Sequence, residues 1–175
     1  MMTFLYILGA ILLLILILGM LAPKNYNVFR TITVNKPKNE VFQEIRMLKK
    51  QREWSPWSKK DPNMKIEYTG TDGEVGAKSA WVGNKDVGEG EQEITKIIAG
   101  ERIEGKLRFF KPWKSEADCY FNVEDAANDG TKVTWGFSGT NKFPFSIFML
   151  FFNMDKTVGK DFEEGLASFK SLMEN

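Results

Sequence analysis

Apolar and polar residues alternate in seven short stretches of the chain. These stretches cover residues 28–34, 65–69, 77–83, 89–98, 102–110, 115–124 and 131–139, and glycine, proline, asparagine and aspartate separate most of them. A period of two is typical of a β-strand that buries one face. Turn residues at close intervals favour antiparallel neighbours. The pattern therefore predicts one antiparallel sheet of seven strands.

The alternation also predicts which strand residues face the core. The inward positions of the later strands are apolar or small, with Gln92 as the polar exception: Gly90, Gln92, Ile94, Ile103, Gly105, Leu107, Phe109, Ala117, Cys119, Phe121, Val123, Val133, Trp135 and Phe137. The positions between them are mostly charged, and Glu89, Glu91 and Glu93 are predicted to face water. Such a sheet has one apolar face, which another element must cover.

Two segments have helical spacing instead. In 39–48 the apolar residues are Val41, Phe42, Ile45 and Leu48. In 145–173 one side carries Ile147, Phe151, Met154, Val158, Phe162, Leu166 and Phe169. Spacings of three and four predict amphipathic helices, and the second would be about 40 Å long, enough to cross the sheet. Between them, "REWSPWSKKDP" (52–62) is predicted to break the first helix, because Pro56 lacks an N–H.

The N-terminal stretch is uniformly apolar. Residues 3–22 carry no charge, which suffices for a helix to cross a hydrocarbon core of roughly 30 Å. A cleaved signal peptide would need a basic start and small residues before the cut, whereas Met20 and Pro23 flank the only candidate site. We therefore predict an anchor in 1–24 and one domain in 25–175. Lys24 and Arg30 follow the anchor, so a single-pass protein with a cytoplasmic domain is expected.

The composition excludes several kinds of catalytic and metal-binding site. The 24 basic and 23 acidic residues nearly balance, so no strong field attracts nucleic acid, and no such partner is expected. The chain has no histidine, which excludes Ser-His-Asp and Cys-His nucleophile systems and histidine metal sites. We expect neither a metal nor a cofactor. The single cysteine, Cys119, cannot form an intrachain disulfide.

Several motifs occur in an order that resembles a known superfamily. They are "RTITVNKPKNEVFQEI", "WSPW", "GEVGAKSAW", "GEGEQEI", "GERIEGKLRF" and "DFEEGLASFKSLMEN". Over residues 26–174 the chain is similar to the START/polyketide-cyclase (SRPBCC) superfamily, which includes the major birch-pollen allergen. The resemblance implies an α+β helix-grip fold, a curved antiparallel sheet wrapped around a long C-terminal helix. It also implies a cavity between sheet and helix for a hydrophobic small molecule or lipid.

Candidate ligand-binding residues follow from these patterns. The wall or gate residues would be Trp54, Trp57, Trp81, Phe109, Trp135, Phe148 and Phe152, with Gln92 as a polar contact. Ser79 and Arg30 are further polar residues that the alternation turns inward. For Trp54 and Trp57 the alternative is that both close the open edge of the core. The basic residues around them are either solvated or attracted to an anionic leaflet.

The sequence is compatible with three functions. The first is membrane-anchored binding of an apolar small molecule or lipid. The second is a cyclase or dehydrase, whose ionisable groups would have to be Glu, Asp, Lys or Tyr in the absence of histidine. The third is a structural module for another membrane protein. The stretch "FPFSIFMLFF" (143–152), apolar except for Ser146, bears on all three functions. It is expected to be covered by loops, to touch lipid or to form the cavity mouth.

Overall fold

A computed structural model describes residues 2–175, except for the side chains of Phe145 and Phe148. Helix α1 is followed by strand β1, three short helices, six further strands, a 3₁₀ turn and a final helix. The bounds are α1 Met2–Leu21, β1 Asn25–Val34, α2 Lys38–Arg46, α3 Leu48–Trp54, α4 Pro56–Lys60, β2 Lys65–Thr69, β3 Lys78–Val82, β4 Glu89–Ile98, β5 Arg102–Lys111, β6 Ser115–Asp125, β7 Thr131–Thr140, the 3₁₀ turn Phe145–Leu150 and α5 Met154–Glu174.

The seven strands form one antiparallel sheet, as predicted. Their order is β1-β7-β6-β5-β4-β3-β2, so every neighbour except the β1–β7 pair follows directly along the chain. The first and last strands pair over their whole length, from Asn25 opposite Thr140 to Val34 opposite Thr131. The predicted inward residues are buried or half-buried. Glu91 and Glu93 lie on the other face, where both pair with Arg108 at 2.7 Å.

Helix α5 lies across β1 on the apolar face of the sheet. Its buried residues are Gly159, Phe162, Gly165, Leu166 and Phe169, at the spacing the sequence predicted. A Cβ on Gly165 would lie 2.6 Å from the Trp135 ring, so glycine allows close approach here. The predicted α+β helix-grip fold, with one long apolar helix at the N-terminus, is confirmed.

The predicted start of the last helix is wrong. Helix α5 begins at Met154 and not at residue 145, because the Asn153 side chain caps it by accepting a hydrogen bond of 2.9 Å from the Lys156 N–H. The stretch before it has no polar side, so it cannot form an amphipathic helix on the sheet. It forms the 3₁₀ turn beside α1 instead, and Phe151 is 80% exposed.

The "WSPW" segment is helical, which the sequence reading missed. Helix α2 ends at Arg46, and α3 and α4 follow with a break of one residue at Ser55. Pro56 is the first residue of α4, a position where a missing N–H leaves no hydrogen bond unmade. The proline therefore begins a helix as well as ending one. Helices α3 and α4 both pack on α5.

Helix α1 is long and apolar enough to cross a membrane by length and composition. Three residues, Ala22, Pro23 and Lys24, connect it to β1. Near its end, Gly19 lies against the Phe143 ring, and a Cβ on Gly19 would be 2.7 Å from Phe143 Cδ2. The 3₁₀ turn and α1 are thus in contact.

Candidate functional site

A cavity of about 150 Å³ lies between the β2–β5 part of the sheet and the helices α3 and α4. Its lining residues are Leu48, Gln51, Arg52, Ser55, Trp57, Ser58, Met64, Ile66, Tyr68, Ser79, Trp81, Val87, Gln92, Leu107, Phe109, Cys119, Trp135 and Phe162. The resemblance placed such a cavity between the sheet and the C-terminal helix. Helix α5 contributes Phe162 to the described lining, and α3 and α4 form the rest of the helical side, because α5 lies over β1.

The helical wall follows from the spacing of α3. Leu48, Gln51, Arg52 and Ser55 are three, four and seven residues apart, so they share one side of the α3 helical turns. Helix α4 continues the wall with Trp57 and Ser58.

The sheet wall is made mainly of alternate residues of β2 to β5, with Cys119 of β6 and Trp135 of β7 beside them. Ile66 and Tyr68 come from β2, Ser79 and Trp81 from β3, Gln92 from β4, and Leu107 and Phe109 from β5. The Trp81 and Phe109 rings meet edge to face with centroids 6.0 Å apart. Gly90 lies under the Trp81 ring, where a Cβ would come within 2.6 Å of Cζ2. The missing side chain therefore lets Trp81 lie flat on the strand.

A few polar groups interrupt the apolar lining. Gln92 Nε2 lies 3.4 Å from Gln51 Oε1, and Gln51 Nε2 donates a 2.9 Å hydrogen bond to the Ile45 carbonyl. The Ser58 hydroxyl is buried and has no hydrogen-bond partner among the described residues. A buried donor without a partner costs about 1–3 kcal/mol, so this hydroxyl can gain from a ligand acceptor.

The acidic groups of the cavity are neutral at physiological pH. Burial raises the pKa of the Cys119 thiol to about 12, which leaves it protonated and a poor nucleophile. Burial likewise raises the pKa of Tyr68. None of the described lining residues is a carboxylate, and Arg52 is the charged residue among them. Within residues 2–175, no cluster of three or more acidic or cysteine side chains is arranged to hold a metal ion.

Five of the sequence-predicted residues line the cavity: Trp57, Trp81, Gln92, Phe109 and Trp135. Trp54 does not. It is 1% exposed and packs behind the wall, with its ring centroid 5.3 Å from those of Trp135 and Phe169. This position agrees with the alternative prediction for Trp54, that it closes the open edge of the core. Its partner Trp57 touches both the core and the cavity, since its ring meets Trp135 edge to face at 5.6 Å.

The other candidates lie elsewhere. Phe152 lines a separate, open depression of about 400 Å³ beside the start of β1, because the chain at 150–153 runs along that edge and not over the cavity. The side chain of Phe148 is outside the described residues. Arg30 is on the inner face of β1 but pairs with Asp155 of α5, Nη1 to Oδ1 at 2.9 Å. Ser79 lines the cavity.

Sequence reasoning missed most of the helical wall. Ser55 and Ser58 lie in the segment predicted as a helix break (52–62), and Gln51 lies just before it. The spacing of 48, 51, 52 and 55 was a signal for them, but it covers only two turns. Met64 and Val87 lie in connecting loops, and no periodic pattern identifies such positions.

Comparison with solved structures agrees with this architecture. A protein of Nitrosospira multiformis is 18% identical, with a TM-score of 0.61 over 85% of this chain and 96% of that one. The ginseng major latex-like protein 151 from Panax ginseng is 10% identical, with a TM-score of 0.60 over 86% and 99%. Ara h 8.0201 is 14% identical, with a TM-score of 0.57 over 85% and 97%. No protein-family model and no curated protein matches. The chain thus has the same fold as these proteins, which is the helix-grip fold predicted from the sequence.

Proposed function

We propose that this protein is held at a membrane by α1 and binds an apolar small molecule, or the apolar end of a lipid, in the cavity between β2–β5 and α3–α4. The observation that carries the proposal is an unfilled apolar space among aromatic side chains. Six aromatic side chains line it: Trp57, Tyr68, Trp81, Phe109, Trp135 and Phe162. Removing ligand surface from water would drive binding, at about 25 cal/mol per Å².

The size of the cavity limits the ligand. A space of about 150 Å³ matches an engineered dry cavity that accepts benzene, and it is smaller than the roughly 300–1,000 Å³ of drug-sized pockets. The ligand is therefore a single ring or short branched chain, or a longer molecule of which one end enters.

Two polar groups would orient such a ligand. The unpartnered Ser58 hydroxyl offers a donor, and the Gln92 amide makes only a long contact to Gln51. A ligand with one carbonyl or hydroxyl group would satisfy both, because buried polar atoms in pockets fix orientation. A cyclase would need an acid and a base next to the ligand, and the described lining offers only Tyr68, Cys119 and Arg52 as ionisable groups. Binding is thus the function that the geometry supports best.

The proposed location is a single membrane span over residues 3–22, with the domain on the cytoplasmic side. Lys24 follows the span directly, and the chain has no basic side chain before it. Positive residues are retained on the cytoplasmic side of short spans.

Binding can be tested with benzene and methionine-methyl NMR on the full chain in nanodiscs. Met64 is the lining methionine, Met173 packs against the core elsewhere, and Met20 in α1 reports benzene dissolved in lipid. We expect a saturable shift of the Met64 methyl signal with no saturable shift of Met173. A folded protein whose Met64 signal does not respond would overturn the proposal.

A matched pair of variants locates the binding. Ser79→Leu adds an apolar side chain inside the cavity, whereas Ala80→Leu adds the same side chain to the next residue, which does not line it. The Met64 response should disappear in Ser79→Leu and persist in Ala80→Leu. Native mass spectrometry of protein extracted from its host membrane then identifies the natural ligand.

A further inference from the structure

The strand register brings one end of every strand to the edge of the sheet where the chain leaves α1. Asn25 at the start of β1 pairs with Thr140, and the same edge continues across the sheet. Its further members are Ser115, Lys111, Glu89, Val82 and Lys65, linked through the pairs Phe109–Ser115, Glu89–Lys111, Val82–Glu89 and Lys65–Val82. The loops 61–64, 83–88, 112–114 and 141–153 therefore share this edge, which we call the anchor edge.

The anchor edge carries a group of exposed large apolar side chains. They are Val82, Phe110, Trp113, Phe143, Leu150, Phe151 and Phe152. Trp113 is 72% exposed and Phe151 80%. At the opposite edge, the described turns between strands carry one such residue, Val75. The asymmetry matters because large exposed apolar patches mark interaction surfaces.

Basic residues accompany these side chains. Lys111 and Lys114 flank Trp113, while Lys142 precedes Phe143 and Lys24 follows α1. All four lysines are exposed. Tryptophan and lysine together are typical of the headgroup region, where the ring sits among headgroups and the cation meets lipid phosphate.

The contact between Phe143 and Gly19 determines the level of the anchor edge along the axis of α1. The Phe143 ring lies against Gly19, two residues before the end of α1 at Leu21. At 1.5 Å of rise per residue, that contact is about 3 Å inside the apolar helix. If α1 crosses a bilayer, Phe143 is at the level of the hydrocarbon boundary. Leu150 is the last residue of the 3₁₀ turn that contacts α1, and Phe151 follows it.

We propose that the anchor edge lies in the headgroup region of the same bilayer that α1 crosses, with Trp113 and Phe151 inserted. The inference rests on the proposed membrane anchor. The occupant is lipid because the patch is continuous with the anchor helix through Gly19 and Phe143, and because lysines surround it. The domain would then lie on the membrane in one fixed orientation.

Site-directed spin labelling of the full chain in pure-lipid nanodiscs tests this orientation. Single cysteines are introduced as Trp113→Cys and Phe151→Cys in a Cys119→Ala background that retains its circular dichroism spectrum. Both sites are exposed, so the labels should not disturb the core. Ala127→Cys and Glu101→Cys, in turns of the opposite edge, are the matched controls. Leu12→Cys reports whether α1 is in the bilayer.

We expect labels at 113, 151 and 12 to be more accessible to oxygen than to a water-soluble nickel chelate, and labels at 127 and 101 to show the reverse. A label at 12 in lipid with labels at 113 and 151 in water overturns this inference and leaves the anchor intact. A label at 12 in water removes the anchor itself. Protection of 113 and 151 in native membranes but not in pure lipid assigns the surface to a protein partner and also overturns the inference.

Discussion

The two halves of the sheet's concave face use similar aromatic side chains with different results. Around α5, the aromatic side chains of Trp54, Phe121, Phe137 and Phe169 are buried, and Trp135 and Phe162 lie at the boundary and also line the cavity. Under α3 and α4, Trp57, Trp81 and Phe109 stand around a space that no described side chain occupies. The first half is filled by side chains, and the second half contains the cavity in which we propose that a ligand binds.

The difference comes from which element covers each half. Helix α5 is long, and its two buried glycines let it approach the sheet closely. As a result the Trp135 and Phe162 rings stack with centroids 4.4 Å apart. Helices α3 and α4 have only seven and five residues, and they direct Gln51, Ser55 and Ser58 toward the sheet. Short polar side chains cannot fill the distance to the strands, so space remains.

The largest expected effect separates the two halves by stability. Trp54→Ala should lower the free energy of unfolding by about 3–5 kcal/mol, because it empties a fully packed site. Trp81→Ala should cost less than about 2 kcal/mol, because its ring already borders free space. Urea unfolding of the full chain in micelles, followed by circular dichroism, measures both. Equal losses would mean that the cavity half is packed as tightly as the other.

A smaller effect tests close packing of α5. Gly165→Ala should cost about 1–3 kcal/mol, since its Cβ would meet the rigid Trp135 ring at 2.6 Å and Pro56 Cδ at 3.1 Å. Gly159→Ala is the matched control, because its Cβ meets only the movable Arg30 guanidinium. In Gly159→Ala, the gain in helix propensity of about 1 kcal/mol should offset the loss of the ion pair between Arg30 and Asp155.

The same unfolding measurement ranks the two glycine variants. If Gly159→Ala proved the more damaging, the Arg30 pairing with Asp155 would hold α5 in place more strongly than the aromatic contact does. The stacking of Trp135 on Phe162 would then not be the main interaction that holds α5 on the sheet.

The smallest effect concerns Cys119, on the strand between the two halves. Its pKa is about 12 in the folded protein against an ordinary value of 9.0. The folded state therefore keeps the proton while the unfolded state loses it. This contribution to stability is complete below pH 9 and is lost as pH rises toward 12, by up to about 1.4 kcal/mol per pH unit.

Cys119→Ala should flatten that decline. The free energy of unfolding, measured from pH 8 to 11 for both proteins, gives the two slopes, so the constant cost of the substitution cancels. Identical slopes would show that the thiol ionises equally in both states and is therefore hydrated through the cavity.

The strands and the inner side of α5 were predictable because long periodic segments decide them. Alternation in 102–110, 115–124 and 131–139 assigned the inward faces correctly. The start of α5 was not predictable from period, since 143–152 is apolar at every position except Ser146 and only the Asn153 cap marks the boundary. Pro56 predicts a helix break, although a proline also suits the first turn of the next helix.

The cavity position was the least accessible from sequence. It depends on where α5 lies along the sheet, and the β1–β7 pairing decides that. No local pattern contains this long-range pairing. The inward position of Gln92 was predicted correctly, whereas its neighbour Gln51 could not be, because two turns of helix carry too weak a period.

The short connection between α1 and β1 limits how far the domain can move away from α1. Three residues, even when fully extended, reach only about 10 Å. In the proposed arrangement, with α1 in a membrane, a domain on so short a connection stays within about that distance of the bilayer surface. A ligand bound in the proposed site could then pass only to a recipient that reaches the same membrane.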